Sequence, residues 1–419
     1  MSDADILVIG AGAAGIAAAR VALAAGRRVR VLEARSRLGG RALTDGALGV
    51  PFDLGATWLH DAARNPLVEL ARALGVGLTD SDAARQEVSF VAGRRATAAE
   101  IAAYDAAWAA FEPAIRARAA VPGPDVPAAV AAPRGGPWDA TVAAWQGEVI
   151  AAWPLAAMSL QDFAASLLGG ANLLPAGGLG ALLARLGEGL PVTTGAPVTR
   201  LAWGNREAVA EGPFGTLRAR AVICTVPTSL LAGAAIRFDP PLPLAVQQAA
   251  HDLPLGAAIK LGLRAAGADR LGLPAHASTD RQVSSDEALV PITFWPQGQP
   301  LASAWIGGPL AAALEREGPA AAEALVREEI AARLGSEAPR AFRPGALVSA
   351  WRRDPWSLGV YSHARIGAAG ARAVLAAPLA GGRLCFAGEA CHTEGLAATV
   401  GGAWLSGEAA AAQAIAASA

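Results

Sequence analysis

The sequence predicts an α/β fold in which a nucleotide-type unit built on parallel strands is interleaved with a second unit of mixed or antiparallel sheet plus helices. Three observations lead there. The run at 4–10 (ADILVIG) reads as a buried parallel strand, the proline-free Ala/Leu/Val stretch at 13–25 reads as a helix ended by Gly26, and the alternating run at 28–34 (RVRVLEA) reads as the next strand. A strand–helix pair returns at the far end, at 383–388 (RLCFAG) and 399–417. Between them, strand signals at 196–203, 208–211, 216–226, 257–264, 290–294, 301–306 and 345–351 suggest antiparallel pairing. A chain of 419 residues exceeds the usual size of one hydrophobic core, so two joined units are expected. The nucleotide unit is assigned 1–76, 177–240 and 346–419, and the second unit 77–176 and 241–345.

The remaining elements follow the same logic. A helix is expected over 61–75, closed by glycine, and an amphipathic helix over 319–335. Residues 77–176 read as helices rich in Trp and Ala, interrupted at 121–137 by a Pro/Gly stretch that removes backbone donors and forms a surface loop or a lid. With 53% hydrophobic and 17% charged residues the chain is neither disordered nor polyelectrolyte-like. A net charge of -1 with no basic cluster excludes a nucleic-acid surface. Cys224, Cys385 and Cys391 show neither CxxC spacing nor a neighbouring histidine set, so no metal site and reduced thiols are expected. A first strand close to Met1 leaves no room for a signal peptide, and the C-terminal helix is too weakly apolar for an anchor. A cytoplasmic protein, monomeric or homodimeric and away from membranes, is the expectation.

Chemistry concentrates in a few motifs. In Gly10-x-Gly12-x-x-Gly15 the first glycine permits a tight turn, the second lets backbone approach a pyrophosphate, and the third lets helix pack on strand. Glu33 ends the next strand at the roughly 20-residue spacing that suits a carboxylate on ribose hydroxyls. NAD and FAD share this turn. A second glycine pair, Gly39-Gly40, followed by Arg41, favours the longer FAD, with Arg41 placed to neutralise pyrophosphate or to reach toward flavin. Asp53-Leu54-Gly55-Ala56-Thr57-Trp58-Leu59-His60 adds close backbone and an aromatic. Glu389 follows Gly388 at a strand end, and a helix opening near Thr399-Val400 would stabilise an anionic reduced ring. Lys260, the only lysine of the chain, lies in the apolar run GAAIKLGL, where an unpaired ammonium is costly. A snorkelling surface lysine is the plain alternative. Read from the residues alone, His60 is a backbone-bonding histidine and His392 a helix-start residue. His251 and His276 carry no motif and are expected at the surface.

The motifs GAGAAG (10–15), EARSRLGGR (33–41), DLGATWLH (53–60), VICTVP (222–227) and GAAIK (256–260) come in order along the chain. W-x-x-DP-x-S-x-G-x-YS (351–362), FAGEA (386–390) and TVGGAWLSG (399–407) complete the series. Together they resemble the flavin-containing amine oxidases: the monoamine and polyamine oxidases and the related histone demethylases. The resemblance covers essentially the whole chain. It implies a Rossmann-like FAD-binding domain of the glutathione-reductase type joined to a substrate domain, and oxidation of a C–N bond by hydride transfer to flavin N5. Oxygen would reoxidise the flavin, giving hydrogen peroxide, an aldehyde and a released amine.

Residue by residue, the resemblance implies FAD contact at Gly10, Gly12, Ala14, Gly15, Glu33, Ala34, Arg35, Gly40, Arg41, Gly55, Ala56, Thr57, Trp58, Val198, Gly388, Glu389, Thr399 and Val400. It makes Lys260 the catalytic residue, holding a water at flavin N5, and it puts Tyr361, Trp351, Thr399 and His60 along the amine channel. Thr399 replaces the second aromatic of the cage, which leaves it open on one side as in polyamine-oxidising relatives. Val360 stands where monoamine oxidases carry the flavin-bonded cysteine, so FAD is expected to be non-covalent. A polyamine is favoured over a small monoamine, although a polycation calls for an acidic cleft. Asp61, Glu87, Asp162 and Asp286 are its unplaced candidates. An amino-acid substrate is disfavoured because no arginine follows the DLG motif before Arg64. No tower insertion or extra N-terminal domain for a histone demethylase fits in 419 residues. Two further functions compete with amine oxidation: that of a C–C-oxidising relative, such as a protoporphyrinogen oxidase or desaturase, and that of a flavin-binding partner without turnover.

Overall fold

The computed structural model describes residues 2–204 and 207–418. The first sheet grows from the apolar strand Ala4–Ile9, flanked in parallel by Val29–Leu32 and by Gly215–Cys224. Gly215–Cys224 changes neighbours along its length. Its first half pairs antiparallel with Ala208–Gly212, and its last three residues pair in parallel with Leu384–Phe386. The helices Ala13–Ala24 and Val400–Ala417 pack side by side on this sheet. Their approach is close enough that a Cβ on Gly407 would lie 2.1 Å from the Ala14 carbonyl oxygen.

The second sheet runs Leu347–Val348, Ala258–Arg264, Leu301–Gly307, Ile292–Phe294, Ala277–Arg281, Gln86–Val91, Arg94–Arg95. All its pairs are antiparallel except Ala277–Arg281 with Gln86–Val91. Strand alternation divides its two faces. Ile259, Leu261 and Leu263, with Ala302, Ala304 and Ile306, pack into a core against the helices Gly308–Glu317 and Pro319–Leu334. The opposite face, carrying Ala258, Lys260, Ser303 and Trp305, lines the principal cavity of the molecule.

Several elements depart from expectation for identifiable reasons. The strand expected at 196–203 shrinks to Arg200–Ala202, because Pro197 has no N–H to give a ladder. Of 345–351 only Leu347–Val348 is strand, and it joins the second sheet. The stretch after 77 is not purely helical. Leu78–Asp80, Gln86–Val91 and Arg94–Arg95 are strands, and the largest of them pairs along its length with the polar, remote Ala277–Arg281. The 22-residue helix Ala98–Ala119 follows, opened by a Thr97/Glu100 capping box. Residues 121–137 are irregular apart from the turn Ala128–Val130. The helix expected over 61–75 spans Pro66–Ala73, with Asn65 capping the Leu67 N–H at 3.1 Å. Cys224, Cys385 and Cys391 are free and buried. No helix among the described residues is long and apolar enough to cross a membrane.

Candidate active site

A cavity of about 680 Å³ runs from the glycine turn of the first sheet to the polar face of the second. At the first end, backbone sterics decide the residues. Gly10 has φ +101°, and a Cβ there would sit 2.4 Å from Thr225 Oγ1. On Gly15 a Cβ would sit 1.9 Å from the Gly10 carbonyl oxygen, so Gly15 packs beneath the turn rather than on the cavity wall. Gly12 meets only the Gly40 Cα, at 3.9 Å, and otherwise faces open space. The second glycine pair is thus laid directly against the first turn.

Glu33, 3% exposed, accepts the Ala11 N–H at 2.6 Å on one carboxylate oxygen and the Arg35 N–H at 2.8 Å on the other. Each oxygen keeps a lone pair, and the group lines the cavity beside Gly12, Ala14, Ala34 and Val198. A Cβ on Gly388 would meet nothing within 4 Å. The N-terminus of Val400–Ala417 opens on the same wall, capped by Thr399, whose Oγ1 accepts the Gly402 N–H at 3.0 Å. An elongated, side-chain-free trough with a fixed carboxylate and a helix N-terminus fits a dinucleotide.

Arg35 and Arg41 point into other contacts. Arg35 donates to Asp354 at 2.8 Å and to Ser357 at 2.7 Å. Arg41 donates to Glu389 at 3.0 Å and to the Val360 carbonyl. Glu389 also accepts from the Ser362 hydroxyl at 2.6 Å, and Arg372 donates to that hydroxyl at 2.8 Å and to Asp162 at 2.6 Å. A buried ionic chain therefore ties the helix Leu160–Ala165 to the strand end after Phe386.

Lys260 sits where the two ends meet and is 5% exposed. Its Nζ donates to the Gly55 carbonyl at 2.9 Å and to Thr57 Oγ1, and it lies 5.2 Å and 5.3 Å from the Trp58 and Trp305 ring centres. Burial pushes its pKa down to about 8, with the Asp53 carboxylate opposing. Burial in turn raises Asp53, which accepts from Leu179 N–H at 3.0 Å and from Thr44. The result is an ammonium whose proton is held less tightly than that of an ordinary lysine.

Aromatics wall this region. Tyr361 donates to the Ile150 carbonyl at 2.6 Å, Trp305 to the Val149 carbonyl at 2.8 Å, and buried Trp351 to the Leu54 carbonyl at 2.8 Å. Both Tyr361 and Trp305 are thus held by the π-helical segment Trp145–Ala151. Val360 is buried at the cavity wall. His60 Nδ1 contacts Asn172 Oδ1 at 2.7 Å, and Asn172 Nδ2 donates to Asp82 at 2.9 Å; burial lowers the His60 pKa.

The remaining histidines and acids divide between cavity and surface. His251 is exposed, whereas His276 is buried and lines the cavity, because it leads into the strand Ala277–Arg281 on the cavity face. His392 forms a turn, accepting from Glu394 and Leu396 N–H groups at 3.2 Å and 3.3 Å. Among the candidate acids only Asp162 lines the cavity; Asp61 pairs with Arg64, Glu87 lies off the wall, and Asp286 holds Ser284 in an exposed loop. Trp305, His363, Arg372 and Asn172 line the cavity without any motif that could have singled them out.

Residues 13–128 and 130–415 match the family described as flavin containing amine oxidoreductase. Over nearly its whole length the chain is similar to polyamine oxidase 4 of Oryza sativa subsp. japonica (29% identity; 98% of this chain, 88% of that one). It is also similar to lysine-specific histone demethylase 1 homolog 1 of the same plant (28% identity; 96% of this chain, 51% of that one). The chain spans about half the length of the demethylase homologues it matches. A putrescine oxidase solved with putrescine shares the fold, with a TM-score of 0.81 at 21% identity over 99% of both chains. The family match takes in all but the ends of the chain and a single residue between its two segments, and this protein belongs to the flavin-containing amine oxidoreductases.

Proposed function

We propose that the protein oxidises a C–N bond of an extended aliphatic amine, with FAD held non-covalently and oxygen as the final acceptor. The observation that carries this reading is Lys260, the only lysine of the chain, buried against Gly55, Thr57 and two indoles at the junction of the dinucleotide trough and the amine channel. Bound flavin supplies the two-electron acceptor that no side chain can provide.

The chain's own residues do the rest. The Gly10–Gly15 turn and Glu33 would hold the ADP half, and the Thr399–Val400 helix start and Gly388–Glu389 would hold the flavin half. Tyr361, Trp305 and Trp58 exclude water and favour the neutral amine, the form whose nitrogen lone pair is free. Lys260 Nζ holds and moves a proton, by way of a water, where oxygen is reduced. In sum, amine, oxygen and water give an aldehyde, a released amine and hydrogen peroxide.

None of the three cysteines lines the main cavity, and Val360 offers no thiol, which supports non-covalent FAD. The polyamine oxidase relatives support a chain-like amine. Free, buried thiols fit a reducing compartment, and we assign the cytoplasm. A peroxide-coupled screen of linear amines tests the reading: amine-dependent peroxide supports it, and silence toward every amine overturns it. Acid precipitation that leaves the yellow flavin in the pellet would overturn the non-covalent link.

A further inference from the structure

Strand register places three hydroxyl side chains in one row across the cavity face of the second sheet. Ser303 pairs with Thr293, and Thr293 pairs with Ser278. All three line the cavity, two residues along from the row of Lys260 and Trp305 in the case of Ser303. At ~4.8 Å per strand the row spans about 10 Å. The three hydroxyls are turned to the cavity, whereas Thr279, on the opposite face, donates to Ile292 at 3.0 Å.

A second observation lies on the same strand as Ser278. His276 is 8% exposed and lines the cavity. Its Nδ1 accepts the Gln297 N–H at 3.3 Å, so the neutral ring carries its proton on Nε2, opposite that bond and without a protein acceptor. A ring nitrogen on the cavity wall with no protein acceptor is free to donate to a ligand oxygen.

Charge around the cavity excludes the other kind of tail. Asp82 is paired with Arg85 at 2.6 Å, Glu112 with Arg116 at 2.7 Å, Asp162 with Arg372 at 2.6 Å and Glu389 with Arg41 at 3.0 Å. Asp53 faces Lys260, and Glu33 belongs to the dinucleotide trough. Beyond Ser278 the row ends at Glu87, which is exposed, off the cavity wall and 3.8 Å from Arg85. Asp280, two residues on from Ser278 on the same strand face, is held by Tyr104 and Trp145 and does not line the cavity. A second ammonium would therefore meet no free carboxylate on the wall itself, at a desolvation cost.

We infer that Ser303, Thr293, Ser278 and His276 form a subsite for the far end of the substrate, and that this end is an uncharged oxygen-bearing group, an amide or a hydroxyl, rather than a second amine. The inference rests on the amine-oxidase reading and names the substrate class for that same cavity. The test compares four amines with a common chain on the holoenzyme: N-(6-aminohexyl)acetamide, 6-amino-1-hexanol, 1,6-diaminohexane and n-hexylamine. The two oxygenated amines are expected to exceed the other two at least about tenfold in kcat/KM, and Thr293→Val combined with Ser278→Ala is expected to bring them level with n-hexylamine on the same variant. A diamine preference, parity with n-hexylamine in the wild type, or a preference that survives both substitutions overturns the subsite.

If no amine is turned over, the oxidase reading fails, and calorimetry still decides the subsite. Tighter binding of the acetamide than of n-hexylamine, lost in the double variant, upholds it, and equal binding overturns it.

Discussion

The two ends of the cavity are built on different principles. At the dinucleotide end the wall is backbone, and identity is dictated by the absence of a side chain: Gly10, Gly15 and Gly40 stand where a Cβ would collide with Thr225, with the Gly10 carbonyl or with Gly12. At the amine end the wall is a sheet face, and identity is dictated by which side chain each alternate position presents: Lys260, Trp305, Ser303, Thr293. At Gly10 and Gly15 the first end leaves no room for a side chain, and its fixed polar groups are Glu33 and the Thr399-capped helix start. At the second end the chemistry rests on single side-chain atoms such as Lys260 Nζ.

The sharpest break of that contrast is Gly15→Val. A Cβ 1.9 Å from a carbonyl oxygen cannot be relieved by a rotamer, so we expect no flavin-loaded, folded protein; flavin absorbance per protein checks it. A stable, yellow Gly15→Val protein would rule out steric control at the turn.

Next comes the ionic chain joining the two ends. Arg372→Met strands Asp162, 7% exposed, without its partner, and about 3–5 kcal/mol of stability should be lost in urea unfolding. A loss below about 1 kcal/mol would show that the link is ornamental.

His363 gives a pH handle on the same junction. It is 7% exposed, its Nδ1 has no hydrogen-bond partner, and burial with Arg372 nearby pushes its pKa from 6.5 to about 4. The folded state therefore binds its proton later than the unfolded state does. Stability contributed by the neutral ring is full above pH 6.5 and is lost as pH falls toward 4, by about 3 kcal/mol. Thermal melts of His363→Phe should lose that part of the acid sensitivity; an unchanged acid limb would contradict it.

The smallest effect is the most chemical. Lys260→Met should lower the oxygen-dependent half-reaction about 100-fold while amine binding shifts only a few fold. In the wild type the same half-reaction should change with an inflection near pH 8, following the lowered ammonium pKa, and the variant should be flat there. A pH inflection retained in Lys260→Met would assign it to another group.

The same contrast explains what could be read without coordinates. The glycine turn, Glu33, the Gly39–Gly40 pair and the Thr399 helix start were legible because each is forced by local backbone geometry at fixed spacing. Lys260 was legible because a lone ammonium in an apolar strand is costly wherever the strand lies. His276, Ser278 and Thr293 were not: each is ordinary in sequence, and only the register between strands separated in the chain brings them to one face. Gln86–Val91 hid for the same reason, since its partner Ala277–Arg281 is polar and remote. The link from Arg372 to Asp162 spans a sequence separation of 210 residues and carries no local signal.

Amine oxidation itself is tested most directly by anaerobic titration of the holoenzyme with a linear amine, followed by admission of oxygen. The flavin absorbance should bleach with amine alone, and oxygen should restore it with one equivalent of peroxide. A flavin that stays oxidised with every amine supplied would contradict amine oxidation by this protein.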